Sequence, residues 1–148
     1  MSYNPAFSGI TSTPASQSVQ APEANATGST LTKLSPVRVN SSGNLALIDV
    51  SVESEALSIA GIVNDNITTG NSGNIVNSGR ILDITTSAVF GEVLFVSKTG
   101  GVTATKPSIG VDGFAANDFV IKLGLVVKNA DNPLNKDLLV SISIVGQL

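Results

Sequence analysis

Along most of this chain apolar and polar side chains alternate with a period of two. Over residues 139–145, Val140, Ile142 and Ile144 fall on one side and Leu139, Ser141, Ser143 and Val145 on the other. That spacing predicts a half-buried antiparallel strand, because successive side chains of an extended backbone point to opposite faces. Residues 119–128 repeat the pattern, with Ile121, Leu123 and Leu125 opposed to Val120, Lys122, Gly124 and Val126. Further strands are expected at 34–40, with Pro36 near the start or on an edge, and at 44–52, the two joined by the turn 41–44 into a hairpin. Residues 53–56 suit one short helical turn, and 57–63 returns to alternation. The stretch 64–74, NDNITTGNSGN, is rich in turn formers and reads as one long loop or two tight turns. Additional strands are expected at 75–77, 81–85, 93–97, 102–105 and 138–145. Gly100 and Gly101 sit at a hairpin turn, and Gly110 and Gly113 at turns or bulges. No sustained helical period is present. The pattern predicts an all-β fold, a small antiparallel β-barrel or sandwich with short connections.

Residues 1–30 stand apart from this regularity. They hold Pro5, Pro14 and Pro22, abundant Ser, Thr, Ala and Gln, and few apolar residues among them Tyr3, Phe7, Ile10 and Val19; Glu23 is the only charged side chain before Lys33. Such a composition buries too little apolar surface to offset backbone ordering, about 1–2 kcal/mol per residue. Two readings stay open: a disordered terminus, or an extended N-terminal arm ordered when laid over a neighbouring subunit, with Tyr3, Phe7 and Ile10 as its partner-binding anchors. The expected division is an arm over 1–30 and a β domain over 31–148.

Composition narrows the function. Of 148 residues, 42% are hydrophobic and only 13% charged, about half the charged share of an ordinary soluble domain. Mean hydropathy is +0.32, yet no apolar run approaches the roughly 18–20 residues of a spanning helix, so no membrane partner is expected. A β-rich chain with so little charge is prone to edge-to-edge association and suits an assembly that covers its edges. The net charge of −3 and scattered Lys and Arg give no footprint for nucleic acid. The absence of Cys excludes a disulfide framework. The N-terminus has neither the basic nor the apolar region of a secretory signal, which points to synthesis in a cytoplasm.

Catalytic equipment is sparse. With no His and no Cys, triads and zinc sites built on those residues are excluded. Ser97 and Lys98 are adjacent, but strand neighbours point to opposite faces and do not form a dyad locally. Asp49, Glu53 and Glu55 could in principle supply a carboxylate pair for glycoside hydrolysis, but a solvated strand end accounts for them far better. Asn64–Asn66 and the loop 131–137 concentrate oxygen ligands of the kind calcium takes, but Lys136 lies inside the second and Asp-Asn-Pro initiates turns on conformational grounds alone. No catalytic residue, metal or cofactor is assigned, and the chain is not expected to be an enzyme.

Four stretches carry a resemblance: GEVLFVS from Gly91 to Ser97, GGVT from Gly100 to Thr103, IGVDGF from Ile109 to Phe114 and DFVIKLG from Asp118 to Gly124. Together the chain resembles the capsid decoration, or cement, proteins of tailed bacteriophages, chiefly over residues 70–148. The resemblance implies a β-barrel-like core that associates as a homotrimer, binds the major capsid protein lattice on the virion surface and carries no catalytic residues. Another virion component, such as a head-fibre base, tail-tube or baseplate protein, is an alternative. So is a receptor- or glycan-binding module using loops 64–74 and 129–137.

Overall fold

A computed structural model describes residues 17–21 and 23–148. Nine strands and one helical turn follow in order: β1 (Gln17–Ala21), β2 (Pro36–Val39), β3 (Leu45–Leu47), α1 (Glu53–Ala56), β4 (Ile59–Val63), β5 (Gly73–Ile84), β6 (Val93–Val96), β7 (Val102–Thr103), β8 (Phe119–Lys128) and β9 (Lys136–Gln147). All strand pairings are antiparallel. Eight strands run β3-β2-β4-β5-β9-β8-β6-β7 and curl into a half-barrel, while β1 pairs on β5 off this path. The fold is all-β, as the alternation requires.

The inner face of the curl holds the main core. One row crosses three strands: Ile81 pairs with Leu138, which pairs with Val126, and all three are fully buried. Burying an aliphatic side chain of this size contributes about 1.5–3 kcal/mol. Val93, Leu125, Leu139 and Arg80 form the matching row on the outer face. Around β2–β5 the sheet is covered on both faces. Ile62 and Val76 enter the main core, whereas their neighbours Val63 and Ile75 join Leu31, Val37, Leu45 and Ile67 in a second cluster.

That second cluster explains a departure from the expected division of the chain. Part of the segment assigned to the arm packs on its own domain: β1 pairs with Gly73–Ser78 of β5, and Asn25 is wholly buried. The Asn25 side-chain amide donates to the carbonyls of Ser29 (2.7 Å) and Ile67 (2.8 Å) and accepts from the Thr27 amide (3.0 Å) and hydroxyl (2.7 Å). Its backbone is tied to Asn71 and Gly70. Leu31 and Ile67 exchange backbone hydrogen bonds of 2.9 and 2.8 Å, which closes the cover over the cluster. The paired apolar residues Ile62-Val63 and Ile75-Val76 demand this cover, because each pair buries side chains on both faces of one strand.

Other departures have local causes. The strand expected over 44–52 stops at Leu47, where the chain turns so that both Ile48 and Val50 enter the core. The strands expected at 75–77 and 81–85 are one strand, β5, which runs through Gly79 opposite Val140. On β9 the expected inward set holds for Val140, but Ile144 is 39% exposed. Beyond Ser141 this strand pairs only with β8, and its register there shifts twice. On β8 a bulge sets the extra residue Leu123 against the Leu94–Phe95 step of β6. The inward set then passes from Ile121 and Leu123 to Gly124 and Val126, leaving Leu125 half-exposed. Gly124 is required there: a Cβ would lie 2.1 Å from the Leu139 carbonyl oxygen.

Candidate interaction surface

The carboxylates singled out by the sequence are built into turns. Asp49 accepts from the Ser51 amide (2.9 Å) and hydroxyl (2.6 Å), which hold its carboxyl below the usual range. Glu55 pairs with Arg38 at 2.6 Å and accepts the Asp49 amide with its other oxygen at 2.9 Å. Asp49 and Glu55 are therefore joined as parts of one turn. Ser97 and Lys98 diverge: the Ser97 hydroxyl accepts the Gly101 amide at 2.9 Å, while the Lys98 ammonium grips both oxygens of Asp118 at 2.9 and 2.8 Å. Burial acts to raise the Asp118 pKa, but the hydrogen bonds from Lys98 and the Ala115 amide outweigh it and leave the carboxyl lowered.

The two oxygen-rich loops are likewise engaged with their own backbone. Asn66 accepts the Lys33 amide at 2.8 Å. Asn129 accepts the amides of Asp131 and Asn132, both at 2.9 Å, and Asn132 accepts that of Leu134 at 3.1 Å. No group of three acidic side chains able to hold a metal ion occurs among the described residues. No helix among them is long and apolar enough to cross a membrane.

Sequence reasoning did not single out Asp137 as a structural centre. Its carboxylate is fully buried and accepts from the Asp83 amide (2.9 Å), Asn129 Nδ2 (2.9 Å) and Arg80 Nη1 (3.1 Å). Desolvation pushes its pKa up, yet these three donors more than offset that and hold it below the ordinary value. Asp83 itself has a positive φ of 53°, at the bulge where β5 shifts register against β9. One carboxylate thus locks a bulge in β5 to the β8–β9 hairpin. The available signal was a charged residue directly ahead of the apolar run Leu138-Leu139-Val140, where burial demands partners.

The same end of the molecule presents large apolar side chains to solvent. Leu134 on the β8–β9 loop is 87% exposed, Val89 and Phe90 on the β5–β6 loop 59% and 41%, and Leu82 49%. Their supports are fixed. Lys136 Nζ donates to the carbonyls of Thr86 (3.1 Å) and Ala88 (2.6 Å), tying the two loops together. Glu92 accepts the Val89 amide at 2.9 Å, and the Lys128 ammonium lies 5.7 Å from the centre of the Phe90 ring. Between the loops an open polar pocket of about 390 Å³ is lined by Asp83, Thr85, Thr86, Leu134 and Lys136, among others. Nothing in it pairs a nucleophile with a base.

The anchors proposed for the arm, Tyr3, Phe7 and Ile10, lie outside the described residues. No protein-family profile matches the chain, and no curated protein matches its sequence.

Proposed function

We propose that this protein is a virion structural component, a capsid decoration protein that stabilises a phage head by binding the major capsid protein lattice as a homotrimer. The observation that carries the reading is the set of exposed apolar side chains Val89, Phe90 and Leu134, carried on two loops that Lys136 ties together in a β domain with little charge. Solvent-exposed aliphatic and aromatic residues grouped in this way mark an interaction site on a protein of ordinary solubility. The reading involves association alone: buried rim surface contributes about 25 cal/mol per Å², and many copies on one lattice turn weak contacts into lasting attachment. The resemblance over residues 70–148 and the all-β fold support the same reading.

The test is addition of purified protein to particles assembled from the major capsid protein of the same genome but lacking this chain. Saturable co-sedimentation at a fixed copy number per lattice position, with a raised particle disruption temperature, is the expected result. Failure to bind such particles, together with a signal on a glycan array, would transfer the reading to a receptor-binding module.

A further inference from the structure

The two ends of the curled sheet, β3 and β7, approach each other across a seam that no hydrogen bond between described residues closes. On one side lies β7, which among the described residues pairs with β6 alone. The Gly101 carbonyl accepts the Ser97 amide at 2.9 Å, so residues 101 and 103 direct their backbone groups toward β6. By the alternation of an antiparallel ladder, Val102 directs its backbone groups away from it, into the seam. The seam is pinched where the β6–β7 turn meets the end of β3: a Cβ on Gly100 would stand 3.1 Å from the Ile48 carbonyl and 3.2 Å from Leu47 Cβ. Past the pinch it widens into a groove of about 290 Å³ between residues 102–105 and a bank formed by Leu34 and residues 85–87. A second groove of about 360 Å³ flanks the pinch on its other side. Neither is lined by a charged side chain; Thr and Ser predominate over a floor that includes Leu34 and Val102.

We propose that this seam accepts an added β-strand, and that the strand is supplied by residues 1–16 of a second copy of the chain. An open edge with outward backbone donors and acceptors recruits an extended segment, main-chain bonds giving affinity and alternate side-chain pockets giving selectivity. Residues 1–16 match the groove in chemistry, since they too contain no charged side chain. Between Pro5 and Pro14 they hold the proline-free run AFSGITST, in which Phe7, Ile10, Thr11 and Thr13 favour extended backbone. They begin from Gln17, which is fixed against Ser78 of β5, and sixteen extended residues reach about 50 Å. That length spans to a neighbouring molecule. The inference rests on the partner-binding role of the arm and adds to it the acceptor and the identity of the partner.

The chain has no Cys, so disulfide trapping reads the contact cleanly. One preparation carries Ser87→Cys on the bank of the groove, and a second, of distinguishable mass, carries Cys singly at Ala6, Phe7, Ser8, Gly9, Ile10 or Thr11. After mixing the full-length proteins without particles, a covalent heterodimer should form at alternate arm positions, because bridging needs Cβ atoms about 3.8 Å apart. Val102→Pro removes one outward N–H and should weaken trapping about two- to tenfold. Thr105→Lys, which leaves the backbone intact and puts a charge in the groove, should weaken it as well and covers the case in which the proline variant fails to fold. Equal trapping at every arm position, or no trapping between the two preparations, would each overturn the proposal. Because no particle is present, this outcome is independent of whether the protein decorates a capsid.

Discussion

Replacing Asp137 with Ala tests the claim that one buried carboxylate holds the bulge in β5 to the β8–β9 hairpin. Three donors lose a hydrogen bond, the Asp83 amide, Asn129 Nδ2 and Arg80 Nη1, of which Asn129 keeps Asp83 Oδ1 at 3.3 Å and Arg80 the Lys128 carbonyl at 3.2 Å. Asn129 is itself buried, so its amide cannot turn fully to water. Hydrogen bonds to a charged group contribute about 1.5–3 kcal/mol each, and removing one partner of a buried pair costs about 3–5 kcal/mol. Arg80 keeps access to solvent, with a third of its side chain exposed, and this lowers the expected loss to about 2–4 kcal/mol at neutral pH. For a chain of this length that is a fall in Tm of about 10 °C, read by circular dichroism at 218 nm or so against urea and heat. The pH dependence supplies a second test. The folded-state pKa of Asp137 is depressed, so its contribution is complete above the unfolded-state value of about 3.9 and disappears as pH falls through the lower folded value. The gap between wild type and Asp137→Ala should therefore be full at pH 6 and shrink below about pH 4. Asp137→Asn keeps an acceptor for one of the donors and should fall between the two at neutral pH. A variant within 1 kcal/mol of wild type at pH 7, or a gap that stays constant from pH 6 to pH 2, would refute the reasoning; the threshold is about the size of one ordinary hydrogen bond.

Gly124→Ala forces a methyl to within 2.1 Å of the Leu139 carbonyl oxygen, so the β8–β9 ladder must part; a loss of about 3 kcal/mol or more is expected by denaturant titration. Lys98→Ala leaves the buried Asp118 carboxylate with the Ala115 amide as its remaining named donor, which should cost about 2 kcal/mol and raise the Asp118 pKa in a carboxyl-detected NMR titration. Leu134→Ser alters a side chain that is 87% exposed, so stability should stay within about 0.5 kcal/mol while affinity for particles drops about tenfold, as for an interface anchor. Removal of residues 1–16 should leave the Tm within a few degrees of wild type but weaken particle binding, whereas truncation at residue 30 also deletes β1 and the buried Asn25 and should unfold the cover over the second cluster.

What could be read from the sequence was whatever local alternation determines. The bounds of β8 and the helical turn at 53–56 coincide with expectation because each is set by neighbours a few residues away. Gly79 resembles a break within β5; pairing opposite Val140 carries the strand through it, and only the fold supplies that partner. The face exchange at Leu123–Gly124 has the same origin, since a bulge depends on the register of β6 and is invisible in β8 alone. Asn25 and Asp137 were harder still: their decisive contacts lie 42 and 54 residues away. Both are polar groups whose burial is tolerable only because distant segments deliver donors and acceptors to them. The candidate surface divides along the same line. Leu134, Val89 and Phe90 are ordinary apolar residues in a sequence, and what makes them a rim is Lys136 drawing two loops together across 48 and 50 residues. The seam is further from sequence reasoning again, because it is defined by where the curl of eight strands stops short of closing. A residue pattern can announce that this chain has strand edges to cover; which edge stays open, and what chemistry lines it, follows from the register shifts that set the curvature of the sheet.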